Sequence, residues 1–461
     1  MNNYIFMGTV AGIILINIIL AFAKRKGVTF SVYAADPNKH GKFVIAMTLT
    51  GTIVGGGMFL AVGQIGYEAG TAGFVLGLVY LVGLAIVGGF APKIREIMDS
   101  GKHETLIDML NSAYNNKVVL QFCIVNLFMY TFLLAGQFVA MFQFVKFVQT
   151  ASVIAWIPWS LVGLAVLSLF LYPVIGGLRK DIQTDIIQVI IIVIASILIL
   201  VNIICSGIWK SLWINLPDSH VTGTGYGWLF IVGAILFLTP SFITRMDIWQ
   251  RIRTAKTEKD SRYGFWFAGV LSCFFFFLFT TIGMWAYSLK FPNSKFATLD
   301  LIYQRFQNPL ILGFIIGAFF AAVLSSADTF INNISLFITK LTSPKLWNQR
   351  GEKQTDNTLL GRSRMWASVF IVISIGLGWI VPNFVDLLVG AFSLLLIYLP
   401  TILGLLIENW RNPKAAFWSS FSGVAVFFIL FFLWNPKLAF VPAVLISFIT
   451  FALIQVVTKK K

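Results

Sequence analysis

A series of long apolar runs constrains this chain more than any other feature of its sequence. A run of about 20 residues is what an α-helix needs to cross a bilayer core. The chain is 58% hydrophobic and 11% charged, whereas a soluble domain has about 25% charged residues. We therefore predict an all-α polytopic membrane protein. Its predicted transmembrane helices, about thirteen by this criterion, cover 4–23, 43–66, 71–91, 118–145, 154–174, 184–204, 226–244, 264–288, 309–337, 365–381, 384–407, 415–434 and 438–457.

The basic residues are distributed unevenly between the segments that join these runs. If the N-terminus lies outside, 28 of the 34 lysines and arginines fall on the cytoplasmic side, as the positive-inside rule requires. The net charge of +16 then reflects topology, and no nucleic-acid partner is expected. We predict that Lys24, Arg25 and Lys26 mark the cytoplasmic end of the first helix, and that the C-terminus at Lys461 is cytoplasmic. The short loops favour a bacterial inner membrane.

Ten of the predicted spans divide into two five-helix halves, 43–204 and 226–407. One helix at 4–23 precedes them and two at 415–457 follow, within one transporter domain over 1–461. Because five is odd, the halves have opposite orientations in the membrane. Inverted repeats with discontinuous helices are a known transporter plan. A glycine cluster in 43–66 and the pair Thr239-Pro240 in 226–244 predict a break in the first helix of each half.

The glycine cluster lies in the segment LTGTIVGGGMFLAVGQIGYEAG, residues 49–70. Each glycine inside a helix costs roughly 1 kcal/mol relative to alanine. One interpretation is that the helix unwinds between Gly51 and Gly57, freeing carbonyls for a cation and amides for a solute. The other is a surface of small residues for close helix packing. Glycine alone does not decide between the two.

The segment AAVLSSADTFINN, residues 321–333, places hydroxyls and one carboxylate inside a predicted span. Positions 325, 328, 329 and 332 share one helical face, and an acid in a membrane helix indicates a functional site by default. Hard cations bind oxygen ligands, so the sequence predicts a sodium site near Ser325, Ser326, Asp328 and Thr329. A helix–helix hydrogen-bond cluster is the alternative.

Three further groups receive weaker interpretations. Asp185 lies a turn inside its span, where an acid also suits the helix dipole. Gln137 either faces a solute cavity or bonds a neighbouring helix. Residues 245–253, RMDIWQRIR, resemble an interfacial belt with Trp249 at headgroup level. The histidines and cysteines show no catalytic spacing, and no phosphate-binding loop motif is visible. Neither an enzyme nor a cofactor is therefore expected.

Taken together, these segments resemble the sodium:solute symporter family, which has the leucine-transporter inverted-repeat fold. The family has thirteen helices and an external N-terminus. VGGG and SSADT are similar to the choline-transporter-like branch, although Ile53 stands where that branch has a tryptophan. The motifs that carry the resemblance are TGTIVGGG…GYEAG, GGLRKDIQTDIIQ, DIWQRIRTAKTEKDSR, AAVLSSADT and ENWRNPKAAFWSSFSG.

The resemblance implies a sodium-coupled symporter that imports a small organic solute, with sodium as its coupling ion. It places the main sodium ligands at Gly51, Val54, Ala322, Ser325 and Ser326. It places a second cation site, present in some members, at Asp185, Asp328 and Thr329. It places the solute near Gly55, Gly56, Phe59, Gln137, Thr239 and Pro240.

Two alternatives stay open at this point. GTIVGGGMF also resembles the first helix of amino acid permeases, many of which are proton-coupled, and which usually have twelve helices and an internal N-terminus. A sensor of the same fold would bind solute without moving it. The sequence leaves the identity of the solute, the number of sodium ions and the oligomeric state open.

Overall fold

A computed structural model describes residues 3–22, 29–150, 156–175, 177–342, 355–381, 384–407, 410–435 and 438–459. The basic residues Lys24, Arg25, Lys26, Lys460 and Lys461, on which the predicted orientation partly rests, lie outside these ranges. Within them the chain is helical and has no β-strand. This confirms the predicted fold class.

The first half of the chain contains eight helices, which we number α1 to α8, with short helical turns between some of them. Their bounds are α1 Asn3–Phe22, α2 Lys42–Ile53, α3 Met58–Ala69, α4 Ala72–Ser100, α5 Leu106–Ala113, α6 Asn116–Thr150, α7 Trp156–Ile175 and α8 Gly177–Cys205.

The second half contains ten more. Their bounds are α9 Trp228–Thr244, α10 Met246–Thr254, α11 Glu258–Ser288, α12 Ala297–Arg305, α13 Pro309–Leu341, α14 Asp356–Ile380, α15 Phe384–Leu396, α16 Leu399–Leu406, α17 Pro413–Leu433 and α18 Phe440–Lys459.

Helix starts follow local chemistry. The Thr257 side chain accepts a hydrogen bond from the backbone of Asp260 and caps α11. Asn308 and Asn412 cap α13 and α17, and each precedes a proline at the first helical position. Asparagine and threonine satisfy free amides there, and proline has no amide to satisfy.

Eight described helices are long and apolar enough to cross a membrane, and two bent pairs raise the number to ten. Three shorter apolar helices, over 4–20, 158–171 and 390–406, match further predicted spans. On α8, the exposed side chains Ile190, Ile194, Ile197 and Val201 follow helical spacing, which is typical of a lipid-facing surface. The protein is a multi-pass integral membrane protein, while the count of thirteen spans stays a prediction.

The two bent pairs are the first helices of the two predicted halves. α2 and α3 meet at 63°, and α9 and α10 meet at 55°. The second bend lies at Arg245 and not at Thr239-Pro240, because α9 stays helical through this pair, with a π-helical segment, Ala234–Leu238, directly before it. The division into inverted halves stays a prediction.

The helix α13 forms the centre of the bundle. In its most apolar window 83% of the residues are buried, and it packs against α1, α6 and α8. Its polar residues therefore face other helices rather than lipid.

Candidate functional site

The site begins at the break between α2 and α3. A Cβ at Gly55 would collide with Ser326, and one at Gly56 would lie 2.6 Å from Val323 and 2.9 Å from Ala140. The glycines therefore let the broken backbone approach α13 and α6. The helix ends at Ile53 and the break packs closely, while the binding of a cation and a solute at the break stays a prediction.

Ser326 binds the backbone that the break frees. Its hydroxyl lies 3.2 Å from the carbonyl oxygen of Gly51 and 2.9 Å from that of Thr52, and donates to them. Neighbouring Ser325 donates to the carboxylate of Asp185 on α8. Both serines are buried. Three helices thus bring hydroxyls, backbone carbonyls and a carboxylate to one point.

The other two predicted sodium ligands lie close by. Val54 follows the last residue of α2 and is fully buried. Ala322 lies one turn before Ser326 on α13 and is also fully buried.

The residues predicted for a second cation site separate into two groups. Asp185 and Thr329 both approach the guanidinium of Arg251, which is fully buried. Asp328 does not join them: both of its carboxylate oxygens are buried without a hydrogen-bond partner among the described residues. The amide of Asn332, one turn further along α13, is likewise unpartnered.

The interpretation of 245–253 as an interfacial belt was wrong. Trp249 and Arg251 are fully buried, and Arg245 is 4% exposed. Arg245 donates to Asp247 at 3.1 and 2.7 Å, and Tyr130 donates to the same carboxylate at 2.6 Å. The helix α10 enters the bundle because its charges have buried partners.

Sequence reasoning missed Arg251 and Asp181 as site residues. Arg251 donates to Asp181 at 3.0 Å. One signal was present in the sequence, since Asp181 and Asp185 are four residues apart and share a helical face. Two acids on one face of a membrane helix predict a buried cation opposite them.

A cavity of about 150 Å³ lies beside the break. Gly55 and Gln137 line it, and Gln137 accepts a hydrogen bond from the Gly56 amide at 2.9 Å. Ser326 lines it too. The remaining wall is largely apolar, and sequence reasoning did not assign its aliphatic and aromatic side chains. Those aromatic residues are Tyr80, Phe230, Phe276, Phe330, Phe392 and Phe440.

Four residues predicted to contact solute lie outside this lining: Gly56, Phe59, Thr239 and Pro240. Phe59 packs between Phe279 and Phe319, with ring centroids 4.4 and 5.7 Å apart. Thr239 approaches Gly83 of α4, and Pro240 follows it in the same helical turn. From α9 and the bend after it, the cavity receives Ala234, Leu238 and Arg245 instead.

Comparison with solved structures identifies the fold of the chain. The chain has the fold of a sodium-coupled sialic acid symporter in a substrate-bound outward-open state, with a TM-score of 0.79 and 16% identity over 99% of this chain and 97% of that one. A nucleobase-cation-symport-1 family transporter in a closed conformation gives a TM-score of 0.56 and 13% identity, over 93% and 96% of the two chains.

The sequence comparisons match part of the chain. Residues 36–212 match the sodium:solute symporter family, as the motifs predicted. The sodium/pantothenate symporter of Escherichia coli strain K12 is 24% identical over 210 residues, which are 44% of this chain and 42% of that protein. The match therefore spans less than half of that relative. These similar proteins are transporters and not enzymes, while the choline-transporter-like branch stays a prediction.

Proposed function

We propose that this protein is a sodium-coupled secondary active symporter that imports a small organic solute by alternating access. One observation carries the proposal: Ser326 contacts the freed carbonyls of Gly51 and Thr52 and also lines the cavity. A sodium ion bound at Ser326 contacts both the backbone of the broken helix and the cavity in which we place the solute. In this proposal sodium is held by Gly51, Val54, Ala322, Ser325 and Ser326.

Sodium bound at this position favours solute binding because it joins α13 to the broken helix that forms the cavity wall. By linkage, sodium and solute then raise each other's affinity by the same factor.

The cavity lining favours a solute with an apolar body and one end that accepts hydrogen bonds. Aliphatic and aromatic side chains form most of the wall, and no described Asp or Glu side chain lines it. Donors along the wall include Arg245, which also pairs with Asp247, and the amide nitrogen of Gln137, whose oxygen already accepts from Gly56. A carboxylate or carbonyl group fits these donors better than a quaternary amine.

The first experiment is the melting temperature of the purified protein in sodium compared with potassium. We expect sodium to raise it, because a ligand that binds only the native state stabilises that state. Apolar carboxylates should raise it further, and matched quaternary amines should not. Equal melting temperatures in both salts at all solute concentrations would refute sodium coupling.

Ser326→Ala tests the site assignment. Loss of a hydroxyl that binds a charged ligand corresponds to about 1.5–3 kcal/mol, so sodium affinity should fall at least about tenfold. The matched control is Ser447→Ala, which removes a buried hydroxyl that donates to Ile397 at 2.7 Å, away from the break. Accumulation of solute against its gradient in proteoliposomes separates a symporter from a sensor.

A proton-coupled transporter is the second candidate, and Asp328 favours it. A buried carboxylate without a partner is costly when ionised, and protonation removes that cost. Uptake that is driven by a pH gradient and indifferent to sodium would select this candidate.

A further inference from the structure

A single nitrogen of Arg251 lies inside a cage of oxygens contributed by three helices. Four of them are at hydrogen-bond distance from Nη2, and the fifth is a carboxylate oxygen at 3.7 Å. The oxygens belong to Thr48 (3.0 Å), Thr52 (3.3 Å), Asp181 (3.0 Å), Thr329 (3.0 Å) and Asp185 (3.7 Å).

This is not how a guanidinium normally pairs with a carboxylate. The usual arrangement is a fork, in which two nitrogens donate two parallel hydrogen bonds to one carboxylate. Here Nη2 has two hydrogens for four acceptors, while Nε and Nη1 of Arg251 are buried without a partner among the described residues. The cage surrounds one point of positive charge, as an ion site does.

The composition of the cage also suits an ion. Hydroxyl and carboxylate oxygens are the ligands of hard cations. The cage residues hold one another in place: Thr329 donates to Asp181 at 2.9 Å and lies 3.1 Å from the hydroxyl of Thr52. The two carboxylates belong to one helix, α8, and both are buried. If ionised, the two carboxylates carry two negative charges, whereas Arg251 carries one positive charge.

The guanidinium and its cage belong to different structural units. The cage is built by α2, α8 and α13, whereas Arg251 is on α10, beyond the bend at Arg245. A movement of α10 about that bend withdraws the guanidinium and leaves the five oxygens together. The charge distribution predicts that this end of the bundle is cytoplasmic.

We propose that Thr48, Thr52, Asp181, Asp185 and Thr329 form a second site for a small monovalent cation, and that Arg251 fills it while α10 is docked. The wild-type symporter then couples one sodium ion, because a tethered cation takes the place of the second. The proposal rests on the proposed sodium-coupled function. It differs from the site implied by resemblance, since Asp328 is outside the cage and Asp181 is inside it.

The test counts sodium ions bound by the purified full-length protein, with ²²Na⁺ at equilibrium and N-methyl-glucamine as the balancing cation. Wild type should saturate at about one sodium per chain, and Arg251→Gln at about two, because the native protein then has two vacant sites. Arg251→Lys, which keeps the charge, should stay at one.

Two results separate the possible failures. Wild-type binding of two sodium ions, or one in folded Arg251→Gln, overturns the tethered-cation proposal and leaves sodium coupling intact. Absence of wild-type binding refutes the proposed function itself. The double variant Arg251→Gln/Asp181→Asn should return to one ion, which shows that the extra ion uses the cage.

If Arg251→Gln does not fold, the wild type provides the measurement. High sodium should compete with Arg251 for the cage and increase hydrogen–deuterium exchange over 246–254, relative to equal N-methyl-glucamine. Unchanged exchange in that segment, with no second ion bound at high sodium, overturns the proposal.

Discussion

The two broken helices of this bundle are built from opposite chemistry. The α2–α3 break consists of small residues and exposes backbone: Gly55 and Gly56 let it approach α13, and Ser326 binds its carbonyls. The α9–α10 break lies at a charged residue, Arg245, and continues into a helix whose arginines are buried.

This difference assigns different tasks to the two breaks. Neutral backbone and hydroxyl oxygens bind a cation weakly enough to release it, so the first break suits an ion that comes and goes. Removing one partner of a buried ion pair strongly destabilises the folded protein, because the other charge is left buried and unpaired. The second break therefore suits a part that is either fully docked or fully withdrawn.

The largest effect should come from breaking the pair at the second bend. Arg245→Met leaves Asp247, which is 1% exposed, with Tyr130 as its remaining side-chain donor. We expect a loss of about 3–5 kcal/mol in unfolding free energy, measured by denaturant titration in detergent. Arg245→Met/Asp247→Leu removes both charges and should recover most of it. A double variant no more stable than the single one would show that charge is not the cause.

At the first break, bulk rather than charge should matter. Gly56→Val puts side-chain atoms where a Cβ alone would lie 2.6 Å from Val323 and 2.9 Å from Ala140. Overpacking of this kind costs up to about 3 kcal/mol, and the same titration measures it. Gly376→Val is the matched control, since Gly376 on α14 has no atom within 4 Å of its Cβ position. Equal losses in the two variants would contradict close packing at the break.

The same contrast explains what sequence could predict. Apolar run length and glycine density are local, so the helical class and a break at the glycine cluster, observed between Ile53 and Met58, follow from composition. Ser325 and Ser326 were recognisable because hydroxyls inside an apolar run are unusual. These signals need no knowledge of neighbouring helices.

Charge partners are not local, and there the predictions failed. A tryptophan and arginines after an apolar run have the same pattern whether they lie at a membrane interface or fold back into the bundle. What buries Arg251 is Asp181, 70 residues earlier in the chain, and nothing near 251 reports that contact. The aromatic part of the cavity wall has the same difficulty, because Phe392 and Phe440 reach it from distant helices.

The smallest expected effect concerns the anchor of α10 at its far end. The backbone carbonyl of Asp36 accepts a hydrogen bond from Thr254 at 2.7 Å, and its carboxylate pairs with Arg179 at 2.7 Å and His40 at 3.1 Å. Burial alone would raise the pKa of Asp36, but these hydrogen bonds and the charge of Arg179 outweigh it and lower the pKa to about 2.

A carboxyl whose pKa is lower in the folded state stabilises that state above its unfolded pKa of about 3.9. For Asp36 the difference corresponds to about 2 kcal/mol, present near neutral pH and lost as the pH falls from about 4 towards 2. Asp36→Asn keeps the backbone bond to Thr254 and removes the charge. The gap in unfolding free energy between wild type and variant should therefore close over that range. If the difference in unfolding free energy between wild type and variant does not change with pH, hydrogen-bond geometry and not the ionisation of Asp36 anchors α10. The charge of Asp36 would then not contribute to holding the end of α10 at Thr254.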